Sequence, residues 1–497
     1  MPIPRTLAWQ RAAALALVLA AGIALRTWVY GSKLGAPDSD EAIVGLMIRH
    51  ALHGEIPTFY WGNVYGGPQE VLLGVPLFAV FGQGLLQLRA VSMTLSALAA
   101  LLVWRVGRRT IGELPGAVAG ALLWVWPPYL LLHLTREYGF YGTDLVYCAL
   151  LLLLALRIVE RPSHLRVGAF GLALGLAFWQ TAQIVPIAVP AIAWTAWRRP
   201  QALRHLWLGL LAAAAGASPW LVWNVRHDWA SLLPRASLHE YVHNLRLLAS
   251  PLLPMLLGLR APFTQQLLLP KLLVYLVYVA LLAAFALAAW RQRRRPAGLV
   301  YAVALVFPFV WAVSRRVGQT TSHPVFLLVV APVVVLLLAH AASTRPRALA
   351  IAAACLAVSV ISLQRMETWL AADRPHWPTD TPRSLAPLVA SLDRLHVDRV
   401  YAQYWIAYRL SFASHERVLA TENEFGARGT LADGHVRPAR NPHPFYPPYQ
   451  RSVDAASRYG FVMFRSTART SPLVPQLRAQ GFRASRVGPF VVYAPTR

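Results

Sequence analysis

Apolar stretches of roughly 17–25 residues, the length a helix needs to cross hydrocarbon, recur along most of this chain with short polar loops between them. They fall at 12–30, 86–104, 114–132, 143–158, 167–181, 184–197, 205–223, 272–290, 297–313, 324–341 and 347–363, which predicts about eleven transmembrane helices. A further apolar piece, Val71–Phe81, is short and interrupted by Gly74 and Pro76, so it is expected to lie at the interface within an outer loop, 31–84. From residue 364 the rhythm changes. Apolar runs shrink to strand length at Arg399–Tyr404, Phe461–Phe464 and Pro489–Tyr493, with amphipathic stretches at Leu385–Leu395 and Ser471–Gln480 between them. Arg437–Gln450, rich in proline and aromatics, reads as a long loop. The predicted architecture is a polytopic α-helical membrane domain, 1–363, followed by a small α/β domain, 364–497.

Composition agrees. Of the 497 residues 57% are hydrophobic and 14% charged, against about 25% charged in soluble proteins. The net charge of +26 raises the question of nucleic acid, and its placement answers it. Arginines cluster in alternate short loops, at Arg105–Arg109, Arg157–Arg166, Arg198–Arg204, Arg291–Arg295 and Arg345–Arg347. That is the positive-inside pattern of a multi-pass protein of the plasma (inner) membrane, not a nucleic-acid footprint. It puts the N-terminus in the cytoplasm and, with an odd number of crossings, the C-terminal domain outside. The many arginines of that domain, including Arg394, Arg399, Arg409, Arg417, Arg437 and Arg440, read as solvated surface charge. The two cysteines, Cys148 and Cys355, both lie in apolar runs and read as core thiols.

Acids are scarce, yet the first outer loop gathers Asp38, Asp40, Glu41, Glu55 and Glu70. Carboxylates beside a bilayer are costly unless solvated or used. Asp-Ser-Asp-Glu before Ala42–Ile48 also fits a helix start, with Ser39 or Asp38 as cap and the acids facing the helix dipole. On the same expected side stand cations that break the positive-inside trend: Arg136, Arg226, Lys271 and the doublet Arg315-Arg316. Each is a candidate phosphate contact or a headgroup anchor. Trp61, Tyr65, Tyr138 and Tyr141 are candidates to stack on a sugar or acceptor or to form an interfacial belt, and Glu70 is a further sugar or acceptor candidate. His50 and His53 lie close in sequence to Asp38, Asp40 and Glu55, a spacing that permits a divalent cation, but no compact ligand motif is present. No cofactor is assigned, and nucleotide-binding glycine loops are absent from the sequence.

The loop resembles that of a known superfamily. Asp40-Glu41 after the first span, then Gly54-x-x-Pro57, Tyr60-Trp61, Tyr65-Gly66-Gly67-Pro68-x-Glu70, Pro76 and Phe81-Gly82, resemble the first outer loop of the GT-C membrane glycosyltransferases, which include protein O-mannosyltransferases and lipid A aminoarabinose transferases. Gly175-Leu176-Ala177-Phe178-Trp179 and Gly216-x-x-Pro219-x-x-x-x-Asn224 resemble patterns of the same proteins. Tyr404-Trp405-x-x-Tyr408-Arg409-Leu410 resembles the start of the outer domain of some bacterial members. The resemblance implies a polyprenyl-phosphate-sugar donor, an extracytoplasmic acceptor (protein, lipid or polysaccharide) and inversion at the anomeric carbon. It assigns Asp40 as general base, with Glu41 orienting it or binding sugar or acceptor. One departure stands out. Where many members carry an Arg-Tyr pair entering a late span, this chain has Ser322-His323-Pro324. That moves the phosphate contact to Arg315, Arg316 or His323 and leaves an altered donor open. The competing reading is a transporter or flippase of a lipid-linked or small solute. It would place ionisable residues at mid-membrane and repeat its halves, and neither pattern is found in the sequence.

Overall fold

The structure, a computed structural model, describes residues 5–232, 235–371, 382–432 and 435–496; residues 372–381, inside the region expected to form the C-terminal domain, lie outside these. The chain divides into two compact units. The first comprises Met1–Leu34, Val64–Glu70 and Arg89–Trp369; the second comprises Gly35–Asn63, Val71–Leu88 and Leu370–Arg497.

The first unit is helical. Among the described residues five helices are long and apolar enough to cross a membrane: Ala12–Gly31, Leu85–Thr110, Tyr141–Glu160, Lys271–Gln292 and Arg345–Leu370. A sixth is a bent pair, Pro200–Gly216 with Ser218–Arg226, angled by 66°. About eleven spans were expected from the hydropathy pattern, and each of those segments holds helix, but several are shortened or interrupted. The physical reason is local. At 114–132 the helix Glu113–Val125 stops at Trp126, and Pro127, which has no N–H to continue it, precedes a new turn at Pro128–His133. At 205–223 Gly216 and Pro219 flank the bend.

Close helix approach in this unit depends on absent side chains. The helix His164–Gln180 lies against Leu206–Gly216 so tightly that a Cβ on Gly171 or Gly175 would stand 2.0 Å from a backbone carbonyl of the partner helix. Small residues permit this kind of packing where lipid gives no hydrophobic drive between helices. A buried arginine adds a polar tie: Arg26 donates to the Trp124 carbonyl (2.8 Å) and Ser96 Oγ (2.9 Å).

The second unit is built on a five-stranded mixed sheet, order β2-β1-β5-β7-β6. Its strands are β1 (Arg399–Ala402), β2 (Leu419–Glu422), β5 (Gly460–Phe464), β6 (Phe482–Val487) and β7 (Phe490–Pro495), while β3 (Thr430–Ala432) and β4 (His435–Arg437) pair separately. β1 runs parallel to β2 and β5; β7 is antiparallel to β5 and β6. Alternation along each strand sorts the side chains. Val400, Val462 and Val492 join one apolar core, Tyr401, Phe461 and Tyr493 another. The first core also contains Ile43, Val44, Leu46, Met47 and Ile48 from the helix Ser39–Leu52. Gly45 of that helix accommodates the Phe412 ring, which a Cβ would meet at 2.4 Å.

Of the arginines expected at the solvated surface, one is buried and another is half-buried against protein groups. Arg409 is 4% exposed and donates to the Pro382 carbonyl at 2.7 Å. Arg437 lies over the Tyr459 ring and donates to the carbonyls of Val453 and Ala456. A guanidinium has five donors and can satisfy several buried carbonyls at once, a use that charge counting does not reveal.

Candidate active site

The acidic start of the helix Ser39–Leu52 separates into distinct roles. Asp38 is the cap: its Oδ1 accepts the Glu41 N–H at 3.0 Å. Glu41 is fully buried. Asp40, one turn position earlier, is half-buried and is not the cap. Its Oδ1 accepts the hydroxyl of Tyr404, and its backbone carbonyl accepts the hydroxyl of Tyr60 at 2.6 Å. Ser39 Oγ in turn donates to the Tyr404 carbonyl. Tyr404 begins the helix Tyr404–Ala413, and its N–H donates to Glu424 at 3.2 Å. Burial first, and then the Asp40 charge, push the Tyr404 phenol well above its ordinary range, so it stays a proton donor.

Trp61, in the same unit, is 6% exposed and stacks on Tyr446 at 3.9 Å between centroids. His50 meets the Trp61 ring edge-on, donating or accepting at Glu55 (2.5 Å) and Glu416 (2.9 Å) through its two ring nitrogens. Both nitrogens are therefore engaged with carboxylates, and among the described residues no three His, Cys, Asp or Glu side chains gather as metal ligands.

In the first unit, five of the sequence candidates join one aromatic and cationic chain. The Arg316 guanidinium lies 3.7 Å from the Tyr65 ring centroid. Tyr65 meets Phe140 (6.2 Å), Phe140 meets Tyr141 (4.4 Å), and His133 meets both Tyr141 (4.4 Å) and Tyr138 (4.3 Å). Arg136 lies 5.0 Å from the Tyr138 centroid. Tyr65 is held there by its neighbours: Gly67 N–H donates to the Gln180 carbonyl at 2.8 Å, and a Cβ on Gly67 would come 2.9 Å from the Trp179 carbonyl. This supplies a packing reason for the Tyr-Gly-Gly-Pro sequence. His323 reaches the chain through Tyr129. Burial holds its imidazole down at about 4, so near neutral pH it brings no positive charge to a phosphate.

The remaining candidates lie elsewhere in that unit. Arg315 is exposed and pairs with Glu240 at 2.9 Å. Arg226 ends one helix and Lys271 starts another, both exposed. Glu70 is 1% exposed and accepts the Thr143 N–H (2.7 Å) and hydroxyl (2.8 Å). Beside it, buried Glu137 accepts from Gly139 (2.7 Å) and Ser92 (2.6 Å). Burial, and then the Glu70 charge, raise the Glu137 carboxyl well above the usual range. Sequence reading singled out neither Glu137 nor Tyr404 as a site residue. The signal for Tyr404 was the Tyr404-Trp405-x-x-Tyr408 motif; Glu137 gave none beyond being an acid beside an apolar run.

The apolar helices mark the chain as a membrane protein, and its fold is similar to that of solved structures of ArnT and of an oligosaccharyltransferase. Residues 76–223 match the family described as dolichyl-phosphate-mannose-protein mannosyltransferase. Among solved structures, ArnT from Cupriavidus metallidurans bound to undecaprenyl phosphate is similar over 97% of this chain and 98% of its own, with a TM-score of 0.62 and 14% identity. The same protein in the apo state gives 0.62 and 14%, covering 98% of each chain. The Archaeoglobus fulgidus oligosaccharyltransferase in complex with Zn and sulfate gives 0.51 and 14%, covering 97% of this chain and 72% of its own. No curated protein sequence matches the chain.

Proposed function

We propose that this protein is an integral-membrane glycosyltransferase that moves a sugar from a polyprenyl-phosphate donor to an extracytoplasmic acceptor, with inversion and with Asp40 as general base. The observation that carries the reading is the division of labour at the first-loop helix: Asp38 caps it, which leaves Asp40 partly accessible and oriented by a phenol. In the reaction the acceptor hydroxyl attacks the anomeric carbon as Asp40 takes its proton. The C–O bond to the lipid phosphate breaks, and the phosphate leaves with the electron pair. That leaving group needs fixed positive charge. Arg316 and Arg136 are the groups assigned to supply it, with Tyr65, Tyr138 and Tyr141 as stacking surfaces; Glu70 supports the fold of that unit, and Glu41 and Trp61 that of the unit holding Asp40. Arg315, Arg226 and Lys271 serve as headgroup anchors. The similarity to an undecaprenyl-phosphate-bound ArnT supports a lipid-phosphate donor. All eleven apolar segments cross the plasma membrane in this reading, with the N-terminus cytoplasmic and the sheet of the second unit outside.

One observation favours the transporter reading: Glu70, Glu137 and Asp144 are carboxyls buried in the helical unit, as in proton-coupled carriers. The decisive experiment compares envelope glycans by mass spectrometry in cells with the gene, without it, and with Asp40→Asn. Loss of one glycan modification in the last two supports the transferase. Radiolabelled sugar that crosses proteoliposomes containing the full chain and stays unattached to any acceptor overturns it.

A further inference from the structure

Taking the transferase reading as its basis, we infer that Tyr404 is the positioning residue of the reaction: through its hydroxyl the C-terminal part of the chain orients the Asp40 carboxylate. The geometry is a two-way clasp. Tyr404 donates its hydroxyl to Asp40 Oδ1, and Ser39, the residue before Asp40, donates its own hydroxyl to the Tyr404 carbonyl. Two adjacent first-loop residues therefore grip both ends of one tyrosine. That tyrosine is itself fixed. Its N–H is tied to Glu424 at 3.2 Å, and its ring meets Phe445 at 5.1 Å and Tyr408 at 5.9 Å. Tyr408 in turn donates to Glu422, whose Oε1 accepts from Asn441 (3.0 Å) and the Phe445 N–H (2.8 Å). A base must be held within a fraction of an ångström of its working position by groups whose own rotamers are locked, and this arrangement meets that need. It also gives the sheet-bearing part of the chain a role in the chemistry, distinct from acceptor choice.

Asp40 accepts from Tyr404 at its carboxylate and from Tyr60 at its backbone carbonyl, and the acids Asp38 and Glu41 are its near neighbours in the chain. Removing the phenolic donor while keeping the ring withdraws the hydrogen bond that stabilises the charged form and leaves the nearby acids, which oppose it. The test is infrared difference spectroscopy on the full-length protein in detergent, titrated with acid, with the Asp40→Asn spectrum subtracted so that only the Asp40 carboxyl band remains. In Tyr404→Phe the titration midpoint is expected to rise by about one pH unit, a tenfold gain in proton affinity, as expected from losing one hydrogen bond to a charged group. An unchanged midpoint in a folded Tyr404→Phe protein overturns the inference. If Tyr404→Phe does not yield folded protein, Ser39→Ala releases the clasp from its other side; a smaller rise in the same direction supports the inference and no rise overturns it. The transferase reading fails separately: Asp40→Asn that keeps full glycan transfer removes the base assignment whatever the infrared titration shows. Loss of transfer in Asp40→Asn with no midpoint change in Tyr404→Phe removes only the role of Tyr404.

Discussion

The hydroxyl of Tyr404 donates to Oδ1 of Asp40, a residue 364 positions earlier in the chain. Such a long-range contact joins the acidic loop after the first apolar helix to the helix Tyr404–Ala413 that follows β1, and it singles out one acid of the three at positions 38, 40 and 41. Asp38 is spent on capping and Glu41 is enclosed, so in the proposed reaction the base is assigned to Asp40.

Asp40→Asn is therefore expected to reduce glycan transfer by about 10²–10⁴-fold, the usual contribution of a general base, with little loss of stability. The asparagine oxygen still accepts from Tyr404, so the hydrogen bond survives while the basicity is gone. Quantitative mass spectrometry of envelope glycans reads the first effect, and thermal unfolding of the purified protein reads the second. A large fall in unfolding temperature would assign Asp40 to the fold instead.

Arg316 and Arg315 are neighbours with different surroundings. Arg316 is half-buried over Tyr65 in a chain of aromatics, whereas Arg315 is exposed and paired with Glu240. A charge-assisted contact to phosphate contributes about 1.5–3 kcal/mol, so Arg316→Ala should weaken undecaprenyl phosphate binding roughly 10–100-fold. An exposed ion pair contributes at most about 1 kcal/mol, so Arg315→Ala should change it by less than about fivefold. Native mass spectrometry of both variants with added undecaprenyl phosphate checks the contrast, and equal losses would refute it.

Much of this arrangement was legible in the sequence, and what was not has identifiable causes. Each apolar run that hydropathy located in the first unit holds helix, because burial in lipid writes itself into long apolar runs, whereas the helix Leu238–Leu247, between two of those runs, was not located. It did not resolve where Pro127 and Gly216 would interrupt them, since a break costs little hydropathy. In the tail, β1, β5 and β7 were visible as short apolar runs. β6, reading Phe-Arg-Ala-Ser-Arg-Val, was not, because its side chains are mostly exposed and its place comes from pairing with β7. Of the residues in the proposed function, Asp40 in one unit and Arg316, Tyr65, Tyr138, Tyr141 and Arg136 in the other were all named from sequence. Which acid would cap and which would meet Tyr404 depended on a contact 364 residues long, and no local pattern encodes that.

Gly175, noted in the sequence only as part of a resemblance, has a physical reason to be glycine. Its Cβ would stand 2.0 Å from the Ala213 carbonyl, a backbone atom that cannot turn aside. Gly168, two turns earlier on the same helix, would place its Cβ 3.6 Å from Leu208, an ordinary contact. Gly175→Ala should thus force the helices apart and destabilise by about 1–3 kcal/mol. Gly168→Ala should be neutral or slightly stabilising, since alanine is favoured over glycine in helices by about 1 kcal/mol. Thermal unfolding of the two variants side by side in one detergent decides it.

The last prediction concerns pH and rests on the cluster around His50. Glu55 and Glu416 bind its two nitrogens, Tyr446 donates to Glu55 at 2.7 Å, Tyr449 to Glu416 at 2.5 Å, and Arg49 pairs with Glu416 at 3.3 Å while touching His415. Burial alone would lower the His50 pKa, but the hydrogen bonds to Glu416 and Glu55 outweigh it and raise the imidazole above 6.5. Burial alone would raise Glu416, but the bonds from His50 and Tyr449 and the charges of His50 and Arg49 bring it down from 4.5 to about 2. The signs follow from linkage. The His50 contribution is complete below pH 6.5 and fades as pH rises through its elevated folded value. The Glu416 contribution is complete above pH 4.5 and fades as pH falls toward 2. Both are therefore present together between about pH 4.5 and 6.5, where screening by solvent at this partly exposed site leaves the Glu416 term at about 1–2 kcal/mol. The unfolding temperature of the wild type should exceed that of Glu416→Gln most within that window, and the gap should narrow on both the acid and the alkaline side. A gap that stays constant from pH 4 to 9 would show that Glu416 holds the loop helix by packing and neutral hydrogen bonds alone.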